Sequence, residues 1–228
     1  MPPVTTVAPR VATPEDPLRC AVLISGSGSG MEALVHAQRE QRLPHTTTLV
    51  LSNRADAFGL ERARALNLST EVVERMDDSG HLRTREEHEI AVMEHLRLHD
   101  IEFVVLAGYM RLLSPHFLKQ WQNRVVNIHP SLLPHHPGAH AHRDVLASGT
   151  TISGCSVHLV DEGMDTGALL AQCVVPVFPD DTEERLSHRV KIEEHRLYPE
   201  VLTWIAEGRI QLVNGEARLD GEQPPTVC

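Results

Sequence analysis

The sequence predicts an α/β fold: a doubly wound, mostly parallel sheet with a C-terminal antiparallel extension. Apolar, β-branched runs alternate with amphipathic helical stretches as far as residue 129, which is the pattern of a parallel sheet covered by helices. A glycine-rich turn connects the first of these runs to the first helix. After residue 150 two long alternating runs follow one another directly, and this arrangement predicts paired antiparallel strands.

The elements of the parallel half follow in chain order. Residues 1–17 contain five prolines and no apolar period, so they are predicted to be a disordered tail, and residues 18–228 are predicted to form a single domain. The predicted strands lie at residues 18–25, 47–52, 70–74, 101–107 and 125–129. The predicted helices lie at residues 31–39, 58–66, 84–99 and 115–121.

The C-terminal part has a different order of elements. A helix is predicted at residues 141–148, and strands are predicted at residues 152–160 and 168–177. Thr182 caps a further helix, which Pro199 is predicted to end and restart as a second helix. The pair Asn214-Gly215 separates two short apolar runs, which is the turn chemistry of a β-hairpin.

Composition limits the class of partner. With 228 residues, 41% of them hydrophobic, the chain can bury a sizeable core in one domain. A formal net charge of -10 argues against nucleic acid or an anionic membrane as partner, because both require a basic surface. The chain is expected to be a monomer or homodimer that acts on small molecules, and any phosphate must be held locally by backbone N–H groups and a few cations.

Cysteine and histidine usage indicates a cytoplasmic protein without a metal. The four cysteines form no C-x-x-C pair and are expected to be reduced thiols. No apolar run reaches the length of a membrane span. The histidine-rich stretch at residues 135–142 contains Pro137 and Gly138, which prevent helical ligand spacing, and no cysteine or second carboxylate cluster joins it, so no metal site is predicted.

The turn at residues 26–30 (GSGSG) is a candidate phosphate site. It lies between a buried strand and a helix start, where glycines allow close approach and unpaired N–H groups attract an anion. Gly28, Gly30 and Ala33 also match the dinucleotide pattern G-x-G-x-x-A, but the next strand ends in Asn53 rather than in an acid that would bind the ribose. A tight turn without any ligand remains an alternative.

Asn127, His129 and Asp165 form the candidate catalytic set. Asn127 and His129 are two residues apart on one strand, so their side chains share a face. An amide and an imidazole together can stabilise an oxyanion, and a carboxylate can hold the imidazole protonated. Asp165 is the candidate carboxylate because it lies between the two predicted antiparallel strands. The alternative is that the first two cap a strand and that Asp165 is a solvated turn residue.

At these residues the chain resembles the folate-dependent formyltransferases, from about residue 20 to residue 221. The resemblance is carried by seven blocks in the family's order: LISGSGSG (23–30), LSNRADAFGLERA (51–63), VVLAGYMRLLSP (104–115), NIHPSLLP (127–134), PGAHAHRDVL (137–146), SGCSVHLVDEGMDTG (153–167) and RVKIEEHRLYP (189–199). The departure is Gly30, where family members usually carry Asn, so one side chain near the phosphate turn is absent.

The resemblance implies a Rossmann-like formyltransferase fold and a reaction. A formyl group passes from 10-formyltetrahydrofolate, the co-substrate, to the primary amine of glycinamide ribonucleotide. The family's catalytic residues fall on Asn127, His129 and Asp165. Its ribonucleotide site falls on Ser27, Gly28, Ser29, Gly30, Arg85 and Glu194. Its folate site falls on Met110, Arg111, Leu112, Leu113, Val160, Asp161, Glu162, Gly163 and Met164.

Three other functions are weighed against this one. Formyltetrahydrofolate deformylase uses a similar Asn, His and Asp set with water as acceptor, but it normally carries an additional N-terminal domain. Methionyl-tRNA formyltransferase adds a C-terminal tRNA-binding domain and requires positive charge. A nucleotide-binding regulatory module would use the glycine turn but has no need of the three candidate catalytic residues.

Overall fold

The computed structural model describes residues 4–77 and 79–227 and has the predicted α/β architecture. Its main sheet has eight strands in the order β11-β8-β7-β6-β5-β2-β3-β4. Strands β2 to β6 are all parallel, whereas β7 is antiparallel to both β6 and β8. The predicted fold class, a mostly parallel sheet with an antiparallel extension, is therefore confirmed.

The strands and helices lie close to their predicted bounds. The strands are β1 Val4–Thr6, β2 Leu18–Ile24, β3 His45–Ser52, β4 Ser69–Val72, β5 Phe103–Leu106, β6 Val125–His129, β7 Ile152–Leu159, β8 Leu169–Pro176, β9 Ile210–Val213, β10 Glu216–Leu219 and β11 Thr226–Val227. The helices are α1 Ser29–Gln41, α2 Phe58–Ala65, α3 Arg85–Leu98, α4 Pro115–Gln120, α5 Ala141–Ser148 and α6 Glu183–Ala206.

The central strand β2 divides the core into two layers. Its residues Val22 and Ile24 belong to a cluster that also contains buried residues of α1 and α6. Its residues Ala21 and Leu23 belong to a second cluster, with buried residues of α3 and α4. Alternate side chains of a strand point to opposite faces, so a continuous apolar run supplies both layers and fixes β2 in the middle of the sheet.

Helix α6 is continuous, and the prediction of a break at Pro199 was wrong. Proline has no N–H to donate to the preceding turn, but the segment after it is held by burial of Val201, Leu202 and Ile205. The Tyr198 hydroxyl donates to the carbonyls of Leu106 and Val126 at 2.8 and 3.1 Å, which ties α6 to the sheet. Tertiary packing thus outweighs the one backbone hydrogen bond that proline removes.

The segment before β2 is packed against the domain, so the prediction of a disordered tail was wrong for residues 4–17; its first three residues, 1–3, lie outside the described residues. Strand β1 pairs with β9 in a separate three-stranded sheet, β1-β9-β10. Val7 and Ala12 are buried, and the Ala12 N–H donates to the carbonyl of Ala206 at 2.8 Å. The sequence of this segment has no apolar period because the segment buries isolated side chains and not one continuous face.

Arg10 connects this N-terminal segment to the start of β5. Its Nε donates to Glu102 Oε1 at 2.6 Å, and its Nη1 donates to Asp16 Oδ2 at 3.0 Å. Glu102 is only 15% exposed, and it also contacts Arg19. The carboxylate is therefore largely removed from solvent and depends on these guanidinium groups.

We expect Arg10→Ala to lower the free energy of unfolding by about 1.5 to 3 kcal/mol, because a hydrogen bond to a charged, part-buried group is lost. Urea unfolding measures the change. Arg185→Ala is the matched control, since its partner Asp180 is 80% exposed, and exposed pairs contribute less than about 1 kcal/mol. Equal effects of the two substitutions would contradict the anchoring role of Arg10.

The cysteines differ from the prediction of four reduced thiols. Cys20 and Cys155 are buried and free, whereas Cys173 is disulfide-bonded; Cys228 lies outside the described residues. The prediction rested on the absence of a C-x-x-C pair. Disulfide formation depends on distance in space rather than on spacing in the sequence, so the sequence pattern alone was not sufficient.

Candidate active site

A cavity of about 590 Å³ lies where the carboxyl ends of β2, β5 and β6 meet. Ligands of open α/β sheets bind at this edge, because the loops that leave the strands surround it. A smaller cavity of about 90 Å³ shares Asn127, Met164 and Asp165 with the large one. The two cavities therefore form one site with a side chamber.

The glycine turn forms one end of the large cavity. Gly28 is the cap residue of α1 and has a φ of 69°, a left-handed conformation that favours glycine. A Cβ at Gly28 would lie 2.5 Å from the Cα of Gly59, so the turn is pressed against the start of α2. The first N–H groups of α1, from Ser29 onwards, have no partner within the helix, and Ser29 and Gly30 line the cavity, so this end of α1 has the donors that an anion requires.

Gly30 leaves free space beside this turn. A Cβ built at Gly30 would have Ala107 Cβ as its nearest neighbour, at 4.0 Å. A Cβ can therefore be accommodated here without displacing the backbone. Glycine at this position contributes only its backbone N–H to the turn.

Ser25 joins the glycine turn to the loop after β5. Its hydroxyl donates to Asn53 Oδ1 at 2.6 Å and accepts from the backbone N–H of Met110 at 2.8 Å. The Ser25 N–H donates to the Gly108 carbonyl at 3.1 Å. The walls supplied by β2, β3 and β5 are thus held in a fixed relation to one another.

His129 and Asp165 lie side by side in the centre of the site. The distance from His129 Nδ1 to Asp165 Oδ2 is 3.4 Å, and the two side chains are 5% and 13% exposed. Asp165, in the loop between β7 and β8, has a φ of 56° and accepts the Gly138 N–H at 2.8 Å. On the other side of the ring, His129 Nε2 donates to the carbonyl of His136 at 2.9 Å.

The environment of the pair changes the pKa values of both groups. The neighbouring His158 ring, the Gly138 N–H and His129 hold the pKa of Asp165 at about 2, against the effect of burial. Burial lowers the pKa of His129, while the His136 carbonyl and Asp165 oppose this change. Asp165 therefore raises the pKa of His129 as expected, but burial lowers this pKa by more. Asp165 is charged throughout the physiological range, and the imidazole releases its extra proton readily.

Asn127 lies next to the pair and contacts a residue that the sequence reasoning missed. It stands directly opposite His158 in the β6–β7 pairing, and its Nδ2 is 3.2 Å from His158 Nε2. His158 Nδ1 donates to the carbonyl of Leu159 at 2.8 Å. His158 was read as part of a strand core; its place across from Asn127 becomes apparent only once the strand register is known.

Helix α6 supplies a charged wall near the glycine turn. Ser187, Lys191, Glu194 and His195 line the large cavity, and they recur at helical spacing on one face. Burial raises the pKa of Glu194 to about 7, and the positive charge of Lys191 opposes this shift. Glu194 was identified from the sequence; Lys191 was missed, although its spacing three residues before Glu194 was a usable signal.

A family model of formyl transferases matches residues 18–202. The chain belongs to the formyl transferase family. Within it, phosphoribosylglycinamide formyltransferase of Escherichia coli is 40% identical over 208 residues, 91% of this chain and 96% of that protein. The chain is also 43% identical over 198 residues to the trifunctional purine biosynthetic protein adenosine-3 of Drosophila pseudoobscura pseudoobscura, 86% of this chain and 14% of that protein. The crystal structure of glycinamide ribonucleotide transformylase 1 from Symbiobacterium toebii superimposes with a TM-score of 0.84 at 42% identity, covering 89% of this chain and 94% of that one.

In this member of the formyl transferase family, nearly all the residues singled out from the sequence line the two cavities. The large cavity contains Ser27, Gly28, Ser29, Gly30, Met110, Arg111, Leu112, Asn127, His129, Met164, Asp165 and Glu194. The side chamber adds Leu113, Val160, Asp161, Glu162 and Gly163. Arg85 lines neither cavity; its Nε donates to the Leu112 carbonyl at 3.0 Å. Its contacts are thus with Leu112 and, at 3.6 Å, with Glu89.

The described residues contain neither a metal-ligand cluster nor a membrane-spanning helix. No group of three or more His, Cys, Asp or Glu side chains in residues 4–77 and 79–227 is arranged to hold a metal ion. No helix within the same ranges has both the length and the apolar character needed to cross a bilayer.

Proposed function

We propose that the protein is a phosphoribosylglycinamide formyltransferase. It transfers the formyl group of 10-formyltetrahydrofolate to the primary amine of glycinamide ribonucleotide in purine biosynthesis, in the cytoplasm. The observation that carries the proposal is the pairing of His129 with Asp165 at 3.4 Å beside Asn127, in the same cavity as the glycine turn. The likeness to phosphoribosylglycinamide formyltransferase of Escherichia coli supports the choice of substrates.

The glycine turn and α6 bind the ribonucleotide. The N–H groups at the start of α1 receive the phosphate, because a helix N-terminus combines unpaired donors with a favourable dipole. Lys191 supplies a mobile positive charge to a protein whose net charge is -10. Glu194, also on the cavity wall, is placed to bind the ribose and to orient the amine.

The loop after β5 and the loop between β7 and β8 bind the folate. Met110, Leu112 and Met164 are 69%, 57% and 53% exposed, respectively, and together they offer an apolar wall to the ring system of the donor. Arg85 contacts the carbonyl of Leu112, so we assign it to the folate side and not to the phosphate.

The reaction proceeds by direct attack of the amine on the formyl carbon. One N–H of Asn127 stabilises the developing oxyanion, an effect worth about 3 to 4 kcal/mol for one donor in comparable sites. The His129–Asp165 pair takes up the proton released by the attacking nitrogen and delivers it, through water, to the departing folate nitrogen. Asp165 stabilises the imidazolium during this transfer.

One incubation tests the function. The protein is mixed with 10-formyltetrahydrofolate, with and without glycinamide ribonucleotide, and deformylated folate is followed by absorbance. We expect turnover only with the ribonucleotide, and formylated ribonucleotide as product. Equal turnover in both mixtures would identify a hydrolase, and no turnover in either would contradict the proposal.

Lys191→Met should raise the KM for the ribonucleotide about 10- to 100-fold with little change in the KM for the folate, because a charge-assisted contact to the phosphate is lost. Steady-state kinetics with each substrate varied in turn measures the effect. Lys119, the other lysine of the chain, is exposed on α4, so Lys119→Met is the control and should leave both constants unchanged. An unchanged KM for the ribonucleotide in Lys191→Met would remove this lysine from the phosphate site.

A further inference from the structure

His158 lies between two side chains of the reaction centre. It is 2% exposed, yet it lines the side chamber together with Asn127 and Asp165. Its Nε2 is 3.2 Å from Asn127 Nδ2 and 3.6 Å from Asp165 Oδ1. A single buried nitrogen therefore faces both the amide and the carboxylate.

The other nitrogen of the ring fixes its tautomer. Nδ1 lies 2.8 Å from the carbonyl of Leu159, and a carbonyl can only accept, so the proton is on Nδ1. In the neutral ring Nε2 then carries a lone pair, and it accepts an N–H of Asn127. An amide has its N–H groups on one side and its oxygen on the other, so this contact selects one of the two amide orientations.

The selected orientation has a consequence for the oxyanion. The Asn127 NH2 group has two hydrogens; when one is donated to His158, the second remains available to the large cavity, which Asn127 also lines. An amide turned by half a rotation would present its oxygen to the substrate oxygen and would repel it. Asn127 and His158 are cross-strand partners, so the register of the β6–β7 pairing brings the two side chains together.

The distances around Asp165 also favour His129 as its partner. Nε2 lies 3.6 Å from Asp165 Oδ1, beyond ordinary hydrogen-bond distance, whereas the Gly138 N–H donates to the Asp165 carboxylate at 2.8 Å and His129 Nδ1 lies 3.4 Å from it. Of the two histidines, His129 therefore lies nearer to the negative charge of Asp165.

We propose that His158 is a positioning residue for formyl transfer, whose Nε2 lone pair orients the Asn127 amide toward the formyl oxygen. This inference rests on the proposed function, since it concerns the same reaction centre. The contribution of His158 is made through Asn127, with which it is in contact.

Two substitutions test the role of the His158 Nε2 acceptor independently of the Nδ1 donor. In His158→Gln the side-chain carbonyl reaches the position of Nε2 and can accept the Asn127 N–H. In His158→Asn the shorter side chain reaches only the position of Nδ1, so the bond to Leu159 is retained and the acceptor is lost. We expect kcat to fall about 10- to 100-fold in His158→Asn, less than the loss of the oxyanion donor itself, and to be largely restored in His158→Gln, with both KM values near those of the wild type.

A double-mutant cycle distinguishes positioning from a structural role. Once Asn127→Ala has removed the amide, His158→Asn should cost almost nothing further in kcat, because coupled residues are not additive. Losses that multiply, a change in KM alone, or a fall in kcat that follows the melting temperature would each overturn the proposal.

The tautomer is measured without any turnover. In protein labelled with 15N at histidine, NMR should show His158 Nε2 at the shift of an unprotonated imidazole nitrogen, and a protonated Nε2 would overturn the proposal. A wild-type protein that has this tautomer but no ribonucleotide-dependent turnover would instead overturn the proposed function, and with it the reaction that His158 is proposed to serve. The two failures are thus distinguishable.

Discussion

Asp165→Asn should lower kcat by about 10²- to 10⁴-fold, the range of general acid–base catalysis, with smaller changes in the two KM values. The substitution keeps the shape of the side chain but removes the negative charge that faces His129 Nδ1 at 3.4 Å. The imidazolium that forms during the reaction then has no counter-charge, and the proton is not carried from the amine to the folate. Steady-state kinetics at saturating concentrations of both substrates measures the loss.

The control for this variant is Asp180→Asn, which alters a carboxylate that is 80% exposed and lines neither cavity. It should retain full activity. A kcat of Asp165→Asn near that of the wild type would remove Asp165 from the proton transfer, even if the protein still performs the reaction.

Gly28→Ala should damage both ribonucleotide binding and the fold. The new Cβ would lie 2.5 Å from the Cα of Gly59, a backbone atom that no rotamer change can move, and the residue would keep a φ of 69°, which costs about 1 to 2 kcal/mol for a residue other than glycine. We expect the start of α1 to shift away from α2, the KM for the ribonucleotide to rise by more than about tenfold, and the free energy of unfolding to fall by about 2 to 4 kcal/mol.

Gly26→Ala serves as the control for stability. A Cβ at Gly26 would have no neighbour within 4 Å, and Gly26 does not have a positive φ. Urea unfolding of the two variants separates the effect of the clash from that of simply adding a methyl group to the turn. If Gly28→Ala is as stable as Gly26→Ala and binds the ribonucleotide normally, the close contact between α1 and α2 does not determine the shape of the phosphate site.

Much of this architecture was predictable because it follows from local patterns. The apolar run of β2 and the turn at Asn214-Gly215 each specify their element within a few residues. The position of the site followed as well, because parallel strands end at a common edge. Asp165 was placed near His129 by its position between two antiparallel strands, and the distance of 3.4 Å confirms that they are adjacent.

The features that were missed depend on contacts between segments distant in the chain. The N-terminal segment contacts β9, α6 and Glu102. No hydrophobic period in residues 4–17 indicates these contacts. Pro199 is tolerated in α6 because the helix is buried against the sheet. Helix propensity does not take this burial into account. Arg85 had a suitable charge, but its contact with Leu112 depends on how α3 packs against the loop after β5.

The hairpin of β7 and β8 also determines when the enzyme becomes complete during its synthesis. A nascent chain that has left the ribosome as far as β6 contains the glycine turn, Asn127 and His129, but neither Asp165 nor the α6 residues Lys191 and Glu194. At about 5 to 20 residues per second, the ribosome needs on the order of seconds more to supply them. Chains released early by a stalled ribosome therefore contain the glycine turn but lack three of the residues that we propose for substrate binding and formyl transfer.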